Sequence, residues 1–145
     1  MIYLEERPKV GVGVILIKDK KILLLKRKNA HGEGTWGFPG GHLEFNEEFE
    51  NCAKREVEEE TGITVSNIRF AGFTNDIFKK QNKHYVTIFM ICDWKSGETQ
   101  IKESDKFTEI NWYTWTDLPK PLFLPIVNLL KQGYHPLEKF RRRNK

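Results

Sequence analysis

Three glutamates occupy the packing face of a predicted helix, where charged side chains are rarely found. Residues 46–61 have helical periodicity and end before Gly62, and their apolar stripe consists of Phe49, Cys52, Ala53 and Val57. At about 100° per residue, Glu56 lies in the middle of this stripe, Glu60 lies beside it and Glu59 lies on its rim. The helix must therefore pack against the rest of the protein through a face that contains carboxylates.

A carboxylate on a packing face is destabilising unless another group compensates it. Two ordinary explanations exist: buried arginines could pair with the acids, or the acids could lie just beyond the edge of the core. A hard divalent cation would remove both the desolvation cost and the mutual repulsion, and magnesium is the common case. Arg55, on the flank of the same face, could hold one acid through a bidentate contact. The position of the acids favours a cation site.

The start of this helix is also predicted from the sequence. Asn46 is expected to be the N-cap, which places Glu47 and Glu48 in the first turn, where the helix dipole favours acids. Glu47, Lys54 and Glu58 point away from the apolar stripe and are expected on the solvated face.

The rest of the chain alternates between strand signals and one further helix. Period-two alternation and short apolar runs predict strands over residues 9–17, 21–26, 43–45, 68–78, 84–94 and 109–115. A second helix is predicted from Leu124 or Pro125 to Gln132, before Gly133. This order of elements is typical of an α+β fold or of a sandwich around a mixed sheet.

Length and composition indicate one globular domain over residues 1–145. The chain is 39% hydrophobic and 30% charged, which excludes a disordered protein and a disulfide-rich scaffold. The net charge of +4 suits an anionic partner such as a phosphate ester, although the basic tail, residues 139–145, supplies more than this excess and is expected to fray. Cys52 and Cys92 lie among apolar residues and are expected to be reduced and packed.

No segment has the pattern of a membrane span or of a secretory signal. The longest apolar run, residues 11–17, is much shorter than the roughly 20 residues that a membrane helix needs. The first ten residues contain Glu5, Glu6 and Arg7 in place of an apolar signal core. A cytoplasmic protein without a membrane partner is the expectation.

Residues 41–63, GHLEFNEEFENCAKREVEEETGI, resemble the signature of the Nudix hydrolases. That signature consists of Gly, five residues, Glu, seven residues, Arg-Glu, an aliphatic residue, one residue, Glu-Glu, one residue, Gly and an aliphatic residue. Its nine fixed places are matched by Gly41, Glu47, Arg55, Glu56, Val57, Glu59, Glu60, Gly62 and Ile63. A match at every fixed place is much more specific than a short glycine motif.

The resemblance extends over residues 11–134, through KRK at 26–28, PGGHLEF at 39–45, HYVTIFM at 84–90 and QGY at 132–134. These segments are similar to the MutT-homologue-2 type of nucleotide triphosphate diphosphatases. The resemblance implies the Nudix fold, an α/β/α sandwich around a mixed sheet with a Nudix-box helix and a C-terminal helix. It also implies magnesium-dependent hydrolysis of a nucleoside diphosphate linked to another group, with manganese as a substitute metal.

The resemblance also implies roles for the acids and for their neighbours. Glu56, Glu59 and Glu60 would hold the metal together with the Gly40 carbonyl, and Arg55 would orient an acid. Glu59, on the rim where solvent can enter, is the expected general base, with Glu56 as the alternative.

Further acids of the resemblance lie before and after the helix. Glu47 would support the site from the helix start, and Glu44 is also assigned a supporting role. Many members place a fourth acid on a later loop, and both Glu103 and Glu109 qualify for it. Asn46 departs from the glycine that is common at its place, but Asn tolerates left-handed backbone geometry.

The substrate-binding residues expected from the sequence are Arg27, Gly41, His42, Thr87, Phe123 and Leu124. Arg27 is a candidate phosphate contact. His42 follows the double glycine, and a pocket role and a rim role are equally expected. Thr87 and Tyr85 lie on the strongest predicted strand, where one of them could face a base, but strand packing explains both equally well.

Three functions remain open at this point. The first is hydrolysis of a nucleoside triphosphate to the monophosphate and pyrophosphate, in the setting of nucleotide-pool sanitation, with oxidised or modified nucleotides among the candidates. The second is a Nudix activity on ADP-ribose or dinucleotides, but no proline occurs between Pro39 and Pro119, where ADP-ribose members carry one. The third is a non-catalytic domain that binds a nucleotide or RNA, against which the retained acids argue.

The expected partner is a small-molecule nucleotide, and no nucleic acid is expected. Relatives of this branch often form dimers, so a homodimer is also an expectation.

Overall fold

The computed structural model describes residues 6–137, and in this range the chain forms seven strands and two helices. The strands are β1 (Lys9–Lys18), β2 (Lys21–Arg27), β3 (Trp36–Gly37), β4 (Gly40–His42), β5 (Thr64–Phe78), β6 (Lys83–Ser96) and β7 (Phe107–Tyr113). The helices are α1 (Phe49–Thr61) and α2 (Leu124–Lys131).

Strand β1 is the centre of a mixed sheet. It pairs in parallel with β6 and antiparallel with β2 and β4. Strand β5 continues the sheet beyond β6, while β3 and β7 both pair with β2. The parallel β1–β6 pair within an otherwise antiparallel arrangement confirms the predicted mixed sheet.

The two helices cover opposite faces of this sheet. Successive residues of a strand point to opposite faces, and β1 is buried on both. Val14 belongs to the same buried cluster as Cys52 of α1, whereas its neighbour Ile15 belongs to the cluster that contains Ile126 and Leu129 of α2. The predicted α+β architecture, an α/β/α sandwich, is therefore confirmed.

Most strand predictions are confirmed, with shifts at the ends. The hairpin between β1 and β2 turns at Asp19 and Lys20, which both have positive φ. Strand β5 begins at Thr64, before the predicted residue 68. The prediction missed this start because register shifts against β6 interrupt the alternation of the strand. The strand predicted over residues 43–45 is wrong: the short strands next to the helix are β3 and β4.

The predicted start of the first helix is wrong. Helix α1 begins at Phe49 with Glu48 at the N-cap position, and Asn46 lies before it with a left-handed φ of 63°. Glu47 therefore lies before the helix and outside its first turn. Phe49 is 40% exposed and does not belong to the buried stripe. The predicted end is confirmed, because Gly62 caps the helix with a φ of 76°.

Two predictions concern the termini and membrane association. The basic tail, residues 139–145, lies outside the described residues. Among residues 6–137, neither helix is long and apolar enough to cross a membrane.

The backbones of β1 and β4 approach each other too closely for a side chain at Gly40. Gly40 pairs with Gly13, and a Cβ atom on Gly40 would overlap the carbonyl oxygen of Val12. Because this neighbour is backbone, it cannot move aside as a flexible side chain would. The glycine at this position therefore sets the distance between the sheet and the chain that leads into α1.

We expect Gly40→Ala to lower the free energy of unfolding by about 1–3 kcal/mol, since the added methyl forces the two strands apart. Gly72→Ala is the matched control: its Cβ would meet only Leu129 Cδ1, at an ordinary 3.9 Å. Denaturant unfolding of both variants measures the difference. Equal stability of Gly40→Ala and Gly72→Ala would contradict the close approach.

Candidate active site

Arg55 connects the acids before α1 to those on it. Its Nε and Nη2 atoms donate to the two carboxylate oxygens of Glu47 at 2.8 and 3.0 Å, a bidentate contact. Its Nη1 donates to Glu56 at 2.7 Å and lies 3.3 Å from an oxygen of Glu59. Glu44 lies further away, with 3.5 Å between its Oε1 and Nη2. Arg55 thus holds Glu47 and Glu56 by short hydrogen bonds and contacts Glu59 and Glu44 at longer distances.

The Glu47 side chain is only 13% exposed, which corrects its prediction as a solvated residue. The hydrogen bond from Arg55 lowers the pKa of Glu47 to about 2. Glu47 reaches this position because Asn46 adopts a left-handed conformation, which turns the chain before the helix begins.

Glu56 and Glu60 are buried, at 8% and 2% exposure, as the helical periodicity predicts. Glu60 accepts a hydrogen bond of 2.9 Å from the backbone N–H of Gly40. Glu56 lies against Gly41, where a Cβ atom would come within 2.5 Å of its carboxyl carbon. Two glycines of β4 therefore leave room for the carboxylates of α1.

These carboxylates influence one another. Burial raises the pKa of Glu60 well above its ordinary value, and the charges of Glu56 and Glu103 raise it further. Burial also raises the pKa of Glu56, against the opposing effect of Arg55 and with a further increase from Glu59. Buried acids with raised pKa values are typical of functional sites.

The structure separates the two loop acids that the sequence left open. Glu103 lies close enough to raise the pKa of both Glu56 and Glu60, and its Oε1 is buried without a hydrogen-bond partner. The N–H of Lys102 donates to the carbonyl of Glu60, which attaches this loop to the end of α1. Glu109 instead pairs with Lys26 at 3.3 Å on the neighbouring strand.

The donor set is suited to a hard divalent cation, because it consists of carboxylate oxygens that repel one another. The buried, unpartnered Oε1 of Glu103 is a further oxygen that a cation would satisfy. Within residues 6–137, no three Asp, Glu, His or Cys side chains converge into a complete metal shell. Arg55 Nη1 donates to both Glu56 and Glu59 and so occupies part of their hydrogen-bonding capacity.

A cleft opens beside these acids. Its lining includes Gly40 and Gly41, which also contact Glu60 and Glu56. The cleft and the acidic face of α1 are therefore adjacent. The other lining residues are mostly aromatic, apolar or glycine: Gly11, Val12, Gly13, Arg27, His31, Phe38, His42, Phe78, Tyr85, Thr87, Phe89, Phe123, Pro125 and Ile126.

Three nearly parallel rings line the cleft. Tyr85 stacks on His31 and on His42, with centroids 5.3 and 5.5 Å apart and planes within 8° of parallel. Burial and the charge of Arg27 lower the pKa of His31 to about 4, so its imidazole is neutral at pH 7. Phe123 lies near His31 and beneath the guanidinium of Arg27. Flat, neutral rings of this kind suit a stacked nucleobase.

Five of the six predicted substrate-binding residues, Arg27, Gly41, His42, Thr87 and Phe123, line this cleft. Arg27 is held by a hydrogen bond from Nε to the carbonyl of His31 and lies close enough to Glu60 for that acid to affect its pKa, which burial lowers. The sixth, Leu124, is not a lining residue. Pro125 and Ile126, the next two residues of α2, line the cleft instead.

Several lining residues were not chosen from the sequence. Phe89 has the same parity as Thr87 on β6, so the period-two pattern was the signal that could have found it. Tyr85, which the sequence analysis named beside Thr87, also lines the cleft. His31 lies in a polar loop and Phe78 at the end of β5, where no periodicity points to a cleft.

The chain is similar to known proteins over most of its length. A model of the NUDIX domain matches residues 7–132. The chain is 35% identical over 116 residues to an ADP-ribose pyrophosphatase of Methanocaldococcus jannaschii, covering 80% of this chain and 68% of that protein. It is 33% identical over 97 residues to an 8-oxo-dGTP diphosphatase of Proteus vulgaris, covering 66% of this chain and 85% of that protein.

The chain is also similar to a solved structure and to part of a longer relative. A MutT NUDIX hydrolase from Burkholderia pseudomallei superposes with a TM-score of 0.80 at 34% identity, covering 86% of this chain and 98% of that one. The chain also matches an NAD-capped RNA hydrolase of Vibrio vulnificus, but it spans only 39% of that protein's length.

The chain belongs to the Nudix hydrolases. It is an enzyme of this family, and its relatives support hydrolysis of nucleoside diphosphate derivatives.

Without metal, Glu60→Gln should raise the Tm at neutral pH, because the amide keeps an oxygen for the Gly40 N–H and needs neither to take up a proton nor to bury a charge on folding. The raised pKa of Glu60 sets the sign: its ionisation destabilises the fold as pH rises above the ordinary value of about 4.5. The gain should therefore be largest near pH 8 and disappear near pH 4. Thermal scans in chelator measure it. Glu58→Gln, an exposed position on the same helix, is the control and should change little. An unchanged Tm for Glu60→Gln at pH 8 would contradict the burial cost.

Proposed function

We propose that this enzyme is a magnesium-dependent nucleoside triphosphate diphosphatase, which converts a nucleoside triphosphate to the monophosphate and pyrophosphate. The observation that carries the proposal is the junction at Gly40 and Gly41, where an aromatic cleft meets the buried acids of α1. If the base of a nucleotide stacks in the cleft, its α-phosphate should lie over the acids. Such an enzyme would serve nucleotide-pool sanitation.

The metal would be held by Glu56, Glu59 and Glu60, with the Gly40 carbonyl and Glu103 as further oxygen donors. A divalent cation in such a site neutralises phosphate charge and lowers the pKa of coordinated water. Arg55 would keep Glu56 oriented, since their contact is 2.7 Å, while its weaker contact to Glu59 can be released.

Glu59 is the proposed general base. Its side chain is 49% exposed, against 11% for that of Glu56, so water reaches it more readily. Its contacts to Arg55 are the longest that the guanidinium makes to an acid of α1, at 3.3 and 3.5 Å. Glu59 can therefore move to accept a proton, whereas Glu56 is held in place.

Arg27 is the proposed contact for the departing phosphates. It lies in the cleft near Glu60, and a fixed positive charge there stabilises a leaving pyrophosphate. Phe123 and the carbonyl of His31 hold its guanidinium in position, so little side-chain freedom is lost when an anion binds.

A second candidate is hydrolysis of ADP-ribose, favoured by the name of the relative from Methanocaldococcus jannaschii. The two activities share the acids and differ in what lies beyond the second phosphate. The triphosphate activity leaves a small, highly charged product, which Arg27 suits, whereas ADP-ribose needs a site for a second sugar.

The products decide between these activities. Incubation with nucleoside triphosphates and magnesium should give the monophosphate and pyrophosphate, with orthophosphate appearing only after a pyrophosphatase is added. The measurement is anion-exchange chromatography of the reaction, with ADP-ribose tested in parallel. Direct release of orthophosphate with a nucleoside diphosphate, or a kcat/KM for ADP-ribose above that for every triphosphate, would refute the proposal.

Glu59→Gln should reduce kcat by about 10²–10⁴-fold with little change in KM, if Glu59 accepts the proton of the attacking water. Glu58→Gln, next to it on the solvated side, should keep kcat. Steady-state kinetics at saturating magnesium measure both. A near-normal kcat for Glu59→Gln would transfer the role to Glu56.

Magnesium should raise the Tm of the wild type, because it binds the folded acid cluster. Glu60→Gln and Glu103→Gln should lose most of this rise, since both replace a carboxylate that would bind the cation by a neutral amide. Glu109→Gln should keep it, because Glu109 pairs with Lys26 instead. Thermal scans with and without magnesium compare the three variants. A full rise in Glu103→Gln would exclude Glu103 from the metal site.

A further inference from the structure

We propose that Asp76 fixes Thr87 as a hydrogen-bond acceptor, and that Thr87 thereby selects nucleotides whose base carries an exocyclic amino group. The inference rests on the proposed function, because it places the base in the cleft. It assigns a specificity-determining contact to Thr87 and a positioning role to Asp76, a residue that lies behind the cleft wall.

Asp76 is a completely buried acid among hydrogen-bond donors. Its exposure is 0%, and no salt bridge to it is found among the described residues 6–137. Oδ1 accepts a 2.8 Å hydrogen bond from Nδ2 of Asn128, and Oδ2 accepts from the hydroxyls of Thr74 at 3.0 Å and Thr87 at 2.6 Å. Three converging donors satisfy the acceptor oxygens of this buried carboxylate.

This arrangement determines which hydrogen bonds the hydroxyl of Thr87 can make to a ligand. A hydroxyl has one proton to donate and lone pairs that accept. Because the carboxylate of Asp76 only accepts, the short 2.6 Å contact uses the proton of Thr87. The oxygen of Thr87 can then offer only lone pairs to a ligand in the cleft.

Thr87 lies where a ligand can reach it. It lines the cleft and pairs with Gly11 on β1, where a Cβ would lie 4.0 Å from its oxygen. The missing side chain of Gly11 therefore leaves room beside the hydroxyl. Phe89 and Tyr85, on the same side of β6, provide apolar and stacking surfaces around it. These surroundings suit the edge of a flat base, and the amino group is the donor that projects furthest from such an edge.

Two threonines allow a matched experiment. Thr74 and Thr87 donate to the same carboxylate oxygen and pair with each other across β5 and β6, but only Thr87 lines the cleft. Replacing either by Val removes one hydroxyl at nearly constant volume. Both variants lose a bond to Asp76, but only Thr87→Val loses an acceptor that faces the ligand.

The substrates are pairs that differ by one amino group: GTP and ITP, ATP and purine riboside triphosphate, and CTP and its 4-deamino analogue. For each pair, the ratio of kcat/KM is measured in the wild type and in the variants. We expect the wild type to prefer the amino member of at least one pair. Thr87→Val should reduce that preference by about 3- to 10-fold, the effect of one neutral hydrogen bond, and Thr74→Val should leave it unchanged.

Asp76→Asn tests the positioning role. In this variant, the amide oxygen at position 76 should face Asn128, because Asn128 donates a hydrogen bond there. The new amino group then faces Thr87 as a donor. The Thr87 oxygen accepts from it, and the Thr87 proton turns toward the cleft. The amino preference should fall as in Thr87→Val, whereas Asn128→Ala should lower the Tm and keep the preference. A reduced preference in Thr87→Val with an unchanged one in Asp76→Asn would overturn the role of Asp76.

Two further outcomes would overturn the reading of Thr87. One is an equal effect of Thr74→Val and Thr87→Val on every pair. The other is a change in Thr87→Val confined to the ratio between ribo- and deoxyribonucleotides, which would assign the contact to a sugar hydroxyl.

If no triphosphate is cleaved, the proposed function fails, but the inference about Thr87 can still be tested. The amino preference is then measured as the ratio of Kd values for the corresponding monophosphate pairs, by calorimetry.

Discussion

The burial of Glu56 and Glu60 between α1 and the strand β4 is the constraint on which the site depends. A carboxylate in such a position is costly unless it is hydrogen-bonded or neutralised. The fold meets this cost in part, through the Gly40 N–H bonded to Glu60 and through Arg55 bonded to Glu56. What remains is visible in the raised pKa of both acids. The packing of the first helix thus leaves two buried acids whose charges the protein compensates only in part.

The same few glycines place this site next to the cleft. Gly40 allows β4 to lie against β1, and Gly41 leaves room for the Glu56 carboxylate while also lining the cleft. Arg27 reaches both regions, since it lies over Phe123 and within the field of Glu60. The acids of α1 and the cleft therefore lie next to each other at the same two glycines of β4.

The helix α1 and its acids could be predicted because periodicity fixes which residues share a face, independently of the rest of the chain. The helix start could not: Asn46 fits an N-cap by residue type, but its left-handed φ of 63° serves to bring Glu47 to Arg55. That contact joins residues eight positions apart and leaves no periodic signal. The hydrogen bonds of Asp76 could not be predicted either, because they depend on the register of β5 against β6. This register pairs Thr74 with Thr87, and bulges in β5 alter it. Register of this kind is set by tertiary packing.

Proton release on metal binding tests most directly whether the buried acids of α1 form the cation site. Calorimetric titration with magnesium, in buffers of different ionisation enthalpy, counts the protons released between about pH 5 and 8. Because burial raises the pKa of Glu60, its proton must leave when a cation binds. We expect net release that decreases as pH rises, and little release from Glu60→Gln. Magnesium binding without proton release across this range, or equal release from the wild type and Glu60→Gln, would contradict the account.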